Sequence, residues 1–377
     1  MADEPARDDR IARLRLIRSE GVGPVTYVEL MRRFGNAGAA LEAIPALARR
    51  GGGRAPTLAS HADAEREMAR VAALGARHLF IGDDDYPALL AEAEGAPPAL
   101  IAKGRLELLA RPAIAMVGAR NASAAACRFS RQLAQRLGDA GAVLVSGLAR
   151  GIDTAVHDGS LATGTIAVIA GGIDVVYPPE NAARQQAIGE QGLLLAEQTP
   201  GTEPHARHFP VRNRIIAGLA LGTVVVEAAP KSGSLITARY AADCGREVMA
   251  VPGSPLDPRA QGCNQLIRDG ATLVQTAEDI MEAIRPFEVR PLAEDGADYE
   301  AQAPDSDIAD QDRRAVIALL SPTPVSVDEL IRQSGLAPAI VQTVLLELEL
   351  AGRLERHAGG RVSITGGMHG RDERNGG

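Results

Sequence analysis

The stretch PAIAMVGARNASAAACRFSRQLAQRLGDAGAVLVSGLARGID, residues 112–153, decides the fold. It opens on a short apolar run at 113–117 and passes through Gly118-Ala119-Arg120-Asn121. A segment of helical periodicity follows over 125–138, then a second apolar run at 142–146 that ends in Ser146-Gly147. Short apolar runs separated by helix-length segments are strand–helix–strand units, and strands without polar alternation are buried on both faces. The rhythm continues in runs at 165–169, 193–196, 223–226, 247–251 and 271–274, with helical periodicity over 212–219 and 235–244. The pattern predicts an α/β domain whose mostly parallel sheet is covered on both sides.

Outward from this core, residues 11–48 read as short helices broken at Gly21-Val22-Gly23-Pro24. A glycine turn before a helix is the chemistry of a helix-hairpin-helix, whose amides approach a phosphate. The plainer reading, a glycine turn in a small helical bundle, is preferred because turns of this composition are common. Arg49-Arg50-Gly51-Gly52-Gly53-Arg54 reads as a flexible break, followed by a helix over 62–74 and a proline-rich stretch from Asp85 to Pro98. Beyond the core, nine acids stand against one base between Pro286 and Asp312, which reads as an acidic linker. Three helices over 312–321, 326–334 and 338–352 then precede two short strands, with Ser326 as an N-cap and Glu329 at the capping-box position. Turn Ala358-Gly359-Gly360 joins the strands, giving the order of a winged helix. The expected domains are 1–72 (helical, helix-hairpin-helix- or SAM-like), 73–287 (sheet core), 288–310 (linker), 311–365 (winged helix) and 366–377 (disordered tail).

The chain of 377 residues is 46% hydrophobic and 23% charged, which is globular composition. No apolar run is long enough to span a membrane, and the charged start MADEPARDDR predicts no secretory signal. Three cysteines without metal or disulfide spacing fit a reducing cytoplasm. The net charge of −8 is carried entirely by the acidic stretch, while Lys103 to Asp158 holds eight bases and four acids. A local basic region suits a polyanion whatever the global charge.

Ligands of such sheets sit beyond the strand ends, so the loops there carry the chemistry. In the first, Arg120 and Asn121 follow Gly118, which would let a ligand approach the backbone; Arg120 forks two bonds onto a phosphate or enters a structural ion pair. The second, Ser146 to Asp153, places Gly147, Ala149 and Arg150 in a nest of amides before a helix. Within it, Asp153 and His157 read as a helix cap with a surface histidine rather than a catalytic dyad. The third, Phe209-Pro210-Val211-Arg212-Asn213-Arg214, lies in an acid-free stretch from Pro204 to Val226. Arginines beside one aromatic suit a single strand, phosphates on Arg212 and a base on Phe209; the other reading has Phe209 in the core and Arg212 paired with Glu227. The fourth, Lys231-Ser232-Gly233-Ser234, is an anion site at a helix start, and its spacing is not that of an ATPase phosphate loop.

Taken in order, Val117 to Arg120, Ser146 to Asp153, Ile173-Asp174-Val175-Val176-Tyr177-Pro178, Phe209 to Gly218, Lys231 to Ser234 and Val251-Pro252-Gly253 resemble the DNA-processing protein A (DprA/Smf) family over about residues 80–285. The resemblance implies an extended Rossmann-like fold that binds single-stranded DNA without sequence preference, forms a homodimer, protects incoming DNA in natural transformation and helps load the RecA recombinase. It implies no cofactor and no catalysis. Carried over motif by motif, the DNA site comprises Arg120, Asn121, Phe209, Arg212, Asn213 and Lys231, with Gly147, Ala149, Arg150 and Ser232 around it; Arg120 and Lys231 are the best supported. A departure is Ala119 where the family more often has serine, a change worth about 1 kcal/mol of phosphate hydrogen bonding.

Two rival readings compete with this one. The sheet and Glu227 are similar to phosphoribohydrolases of nucleoside monophosphates, but Leu221-Gly222-Thr223 stands where those enzymes carry a longer glycine loop. A winged-helix regulator is disfavoured because residues 337–352 hold no Lys or Arg and carry Glu347 and Glu349.

Overall fold

The computed structural model describes residues 4–288, 308–357 and 359–365. Most of the acidic linker, the tail from residue 366 and Ala358 of the wing turn lie outside the described residues. Two compact units divide the chain, one formed by residues 65–294 and the other by both ends, 1–64 and 295–377.

The terminal unit begins with α1 (Glu4–Arg18), α2 (Pro24–Phe34) and α3 (Ala37–Arg50). The central unit then takes α4 (His61–Ala73), β1 (Arg77–Phe80), α5 (Ala88–Ala91), β2 (Ala99–Gly104), β3 (Ala113–Gly118), α6 (Ala124–Asp139), β4 (Val143–Ser146) and α7 (Ile152–Ser160). It continues with β5 (Thr165–Gly172), α8 (Ala182–Gln191), β6 (Leu193–Gln198), α9 (His208–Gly218), β7 (Gly222–Val226), α10 (Gly233–Asp243), β8 (Glu247–Ala250), α11 (Gln261–Arg268), β9 (Thr272–Leu273) and α12 (Ala277–Glu288). The terminal unit closes with α13 (Asp310–Leu319), β10 (Val325–Ser326), α14 (Val327–Ser334), α15 (Pro338–Leu350), β11 (Leu354–His357) and β12 (Arg361–Ile364).

The nine strands of the central sheet run in the order β1-β2-β6-β5-β4-β3-β7-β8-β9. From β6 to β9 neighbours are parallel, as the apolar runs predict. In β3, Ile114 and Met116 pack with Leu133 of α6, Val156 of α7 and Ile280 of α12, while Ala115 and Val117 turn to the face holding Ile216 of α9 and Ala238 of α10. Both faces are covered, so every position must be apolar. Strands β1 and β2 are antiparallel additions at one edge, beside β6. Periodicity does not announce them, because Pro97-Pro98 makes that region look like loop. Helix α4 belongs to this unit by packing: Val71 is buried among Ile101, Ile169 and Leu194.

Chain order reverses at β3, which has β4 on one side and β7 on the other. The loops after these three strands therefore open one crevice at their carboxyl ends.

In the terminal unit, α13, α14 and α15 pack around Val316, Leu330, Val344 and Leu348, and β10 joins β12 and β11 in a three-stranded sheet. Ser326 caps α14 as expected, accepting from the Glu329 amide at 3.2 Å. The Glu329 carboxylate does not complete a capping box; it bonds Arg332 and Gln333 instead. The glycines after α3 are not a flexible break. Gly51 is buried, and a Cβ there would lie 2.0 Å from the Glu347 carbonyl oxygen of α15.

Candidate nucleic-acid interface

Four loops meet at the switch point. A groove of about 680 Å³ is lined by Arg120 and Asn121 after β3, Phe209 and Asn213 of α9, and Lys231 and Ser232 ahead of α10. Beside it lies a smaller hollow of about 40 Å³ bordered by Ala149, Arg150, Ile169, Tyr177 and Pro178. Arg120, Ala149, Phe209 and Arg212 line both.

Arg120 is exposed, and its guanidinium lies over the Phe209 ring at 5.1 Å from the centroid. Among the described residues neither Arg120 nor Lys231 enters an ion pair, so the structural-pair reading of Arg120 does not hold. Phe209 is half-buried and meets the Tyr177 ring at 5.5 Å, tilted by 55°. The exposed Tyr177 thus adds a second aromatic to the site, where the sequence marks it only as part of a motif. Arg259, whose guanidinium is bonded to Asp257 at 2.9 Å, is another groove residue that sequence reasoning misses. No local signal marks it, since it reaches the groove from the loop ahead of α11.

Other expected residues have different work. Arg212 is only 6% exposed and donates through Nη1 to the carbonyl oxygens of Gly147 and Val168. Burial lowers its pKa to about 10, against the pull of Asp153. It forms the floor of the groove and is not presented to a phosphate, and it does not pair with Glu227. The Glu227 carboxylate accepts from the Ser123 amide at 2.8 Å and hydroxyl at 2.7 Å, holding the start of α6.

The nest after β4 is likewise filled from within. Both Gly147 and Ala149 amides donate to Asp153 Oδ2 at 3.2 Å. Burial raises the Asp153 carboxyl above the usual range, while Arg212 and the amides pull the other way. The expected surface histidine is buried too: His157 is 2% exposed, with Nδ1 2.8 Å from Thr165 Oγ1. Burial lowers its pKa to about 3, so it is neutral near pH 7. Leu148, at φ 54°, sits in the left-handed region that side chains disfavour. It is held there by full burial and by Asn181, which donates to its carbonyl oxygen at 2.9 Å. This loop is a rigid buttress for its neighbours.

Two glycines explain the close fit. A Cβ on Gly118 would lie 1.9 Å from the Val226 carbonyl oxygen, and one on Gly151 2.3 Å from that of Ala119. Gly118 therefore serves the close approach of β3 to β7 and to Ile152 of α7, while also lining the groove. Ser232 caps α10 by accepting from the Ser234 amide, and Asn213 donates to the Gly233 carbonyl oxygen at 3.3 Å. Arg150 stays exposed at the rim of the hollow, 3.5 Å from Glu180.

Residues 77–285, the whole of this sheet and its loops, match the family model of DNA recombination-mediator protein A. The chain belongs to that family. Residues 7–70 match the DprA-like N-terminal HHH domain and residues 300–360 the DprA winged helix domain, so the expected α/β core with a small helical domain before it and a winged helix after it is borne out. The DNA processing protein DprA of Streptococcus pneumoniae is 48% identical over 201 residues, 53% of this chain and 71% of the relative. Its X-ray structure superposes with a TM-score of 0.56 at 44% identity, covering 59% of this chain and 77% of that one. A Helicobacter pylori DNA processing protein A, described for its single-stranded DNA binding mode, superposes at 0.51 and 26% identity over 56% of this chain and 96% of that one. Among the described residues, no helix is long and apolar enough to cross a membrane.

Proposed function

We propose that this groove binds single-stranded DNA without sequence preference and without a cofactor, with phosphates on Arg120 and Lys231 and a base against Phe209 and Tyr177. The observation that carries the reading is the exposed Arg120, without an ion pair among the described residues, stacked on Phe209 at the switch point of the sheet. A guanidinium on an aromatic face offers charge to the backbone and a π surface to any base, and neither reads sequence. The buried Asp153 and Arg212, which bond the backbone of the loop after β4 from two sides, support the same reading, since they keep the loops in position before a ligand arrives. Single-stranded DNA binding by the Helicobacter pylori relative is an activity of the same kind.

In the cell this activity places the protein in the cytoplasm, as a homodimer that shields incoming single strands in natural transformation and recombination and helps load RecA onto them. It acts by binding and not by catalysis. Titration of labelled oligo-dT and of blunt duplex at two salt concentrations tests the core of the reading. Preference for the single strand, with a salt slope and no response to ATP, is expected; equal affinity for duplex refutes it. Filament assembly by the cognate recombinase on strands coated with another binding protein tests the loading role, and absence of stimulation removes it.

A further inference from the structure

Helix α15 is buried on two opposite stripes. Val341, Val344, Leu345 and Leu348 point into the winged-helix core. At 100° per residue, Thr343, Leu346 and Leu350 fall on the far side, yet they are 3%, 0% and 2% exposed. A helix buried on two opposite sides needs a cover on each, and what covers the second stripe is the N-terminal helical domain. Arg33 of α2 donates to Thr343 Oγ1 at 2.8 Å, and Arg353, just past α15, donates to the Gly51 carbonyl oxygen at 3.0 Å. The backbones meet where glycine permits it: a Cβ on Gly53 would lie 2.3 Å from the Ala351 carbonyl oxygen, much as one on Gly51 would strike that of Glu347. The second stripe is the side opposite the domain core, which a winged helix turns to a DNA groove.

We propose that the N-terminal domain and the winged helix act as one clasped body, and that the clasp occupies the groove-reading face of α15, so the winged helix of this chain reads no duplex. Its occupant is the chain's own N-terminal domain, through the end of α3 and Arg33 of α2. Two basic residues are engaged inside the same body: Arg356 of the wing binds Glu349 at 2.8 Å, and Arg313 of α13 binds the buried Glu347 at 2.9 Å. The two ends of the polypeptide are thereby joined without a covalent bond, and a change in one domain is felt in the other.

Gly51→Ala in the full chain is the test. Gly51 has φ −68°, so alanine is at ease in its own backbone and only the contact with α15 suffers. Hydrogen exchange in α3 and α15 should rise together by roughly tenfold or more, the exchange equivalent of losing about 1.4 kcal/mol, with oligo-dT affinity unchanged within about twofold. Gly53→Ala should do the same. Arg33→Met, which removes one hydrogen bond and adds no bulk, should give a smaller rise in the same two helices if the glycine variants fail to fold. Exchange that stays unchanged in α15, or rises in α3 alone, overturns the clasp. Duplex binding that survives Arg120→Glu but is lost on Arg361→Ala overturns the second half of the proposal.

Discussion

Replacing Arg120 with glutamate separates a DNA contact from a structural one. The side chain is exposed, has no ion pair among the described residues and touches the fold mainly through the Phe209 ring at 5.1 Å. That ring contact is worth about 0.5–1 kcal/mol at an exposed site. For a domain of this size each kcal/mol moves the melting temperature by about 2–4 °C, so the loss should stay within a few degrees. A charge-assisted bond to a phosphate is worth about 1.5–3 kcal/mol, which is roughly a 10- to 150-fold loss of oligo-dT affinity. The slope of log K against log salt should fall by about 0.7, the share of one phosphate on a single strand. Arg212→Met is the control from the same groove. It leaves the buried carbonyl oxygens of Gly147 and Val168 without their donor, at a cost of about 1–3 kcal/mol of stability for each. Anisotropy titrations at three salt concentrations, paired with thermal melts, read both quantities. An Arg120→Glu protein with an unchanged salt slope, or with a collapsed melting temperature, would refute the reasoning.

Phe209→Ala and Tyr177→Ala should each weaken oligo-dT binding by about 1–3 kcal/mol while leaving the salt slope alone, because stacking releases no counterion; a changed slope in the titration would count against stacking. A chain ending at Arg285 should keep most of its affinity for oligo-dT, since every residue lining the groove precedes that point; loss of binding in the same assay would place the site elsewhere. Stability should fall below about pH 6.5 through His157. The native state holds this group neutral, with its pKa lowered to about 3, whereas the unfolded chain takes up a proton at the ordinary value. Its contribution is thus complete above about pH 6.5 and is lost toward pH 3 at about 1.4 kcal/mol per unit. Denaturant melts across that range should show a flatter profile for His157→Asn, and parallel profiles would refute the assignment. Gly118→Ala should be severely destabilising in thermal melts, because its Cβ would meet the Val226 carbonyl oxygen, a backbone atom, as well as the Ile152 side chain.

Much of this molecule is written locally. The apolar runs from residue 113 to 274 mark seven strands, because a strand covered on both faces is built mainly from apolar residues, and that pattern needs no knowledge of its neighbours. The groove followed from the same reading, since loops after successive parallel strands share one edge; Arg120, Phe209 and Lys231 do meet there. The divided fate of the arginines was not legible. Arg120 and Arg212 are both followed by asparagine in a loop or helix start at the same strand ends, but Arg212 bonds a carbonyl 65 residues away and is sealed in by it. Likewise the amides of Gly147 and Ala149 look like an anion nest until Asp153 is seen to fill it. On α15 the sequence carries both apolar stripes without naming their partners, and Gly51 looks like slack chain until the Glu347 carbonyl is set against it. Periodicity records how a segment is solvated and bent, whereas the partner that satisfies a buried charge or covers a second face lies far along the chain and is chosen only when the fold closes.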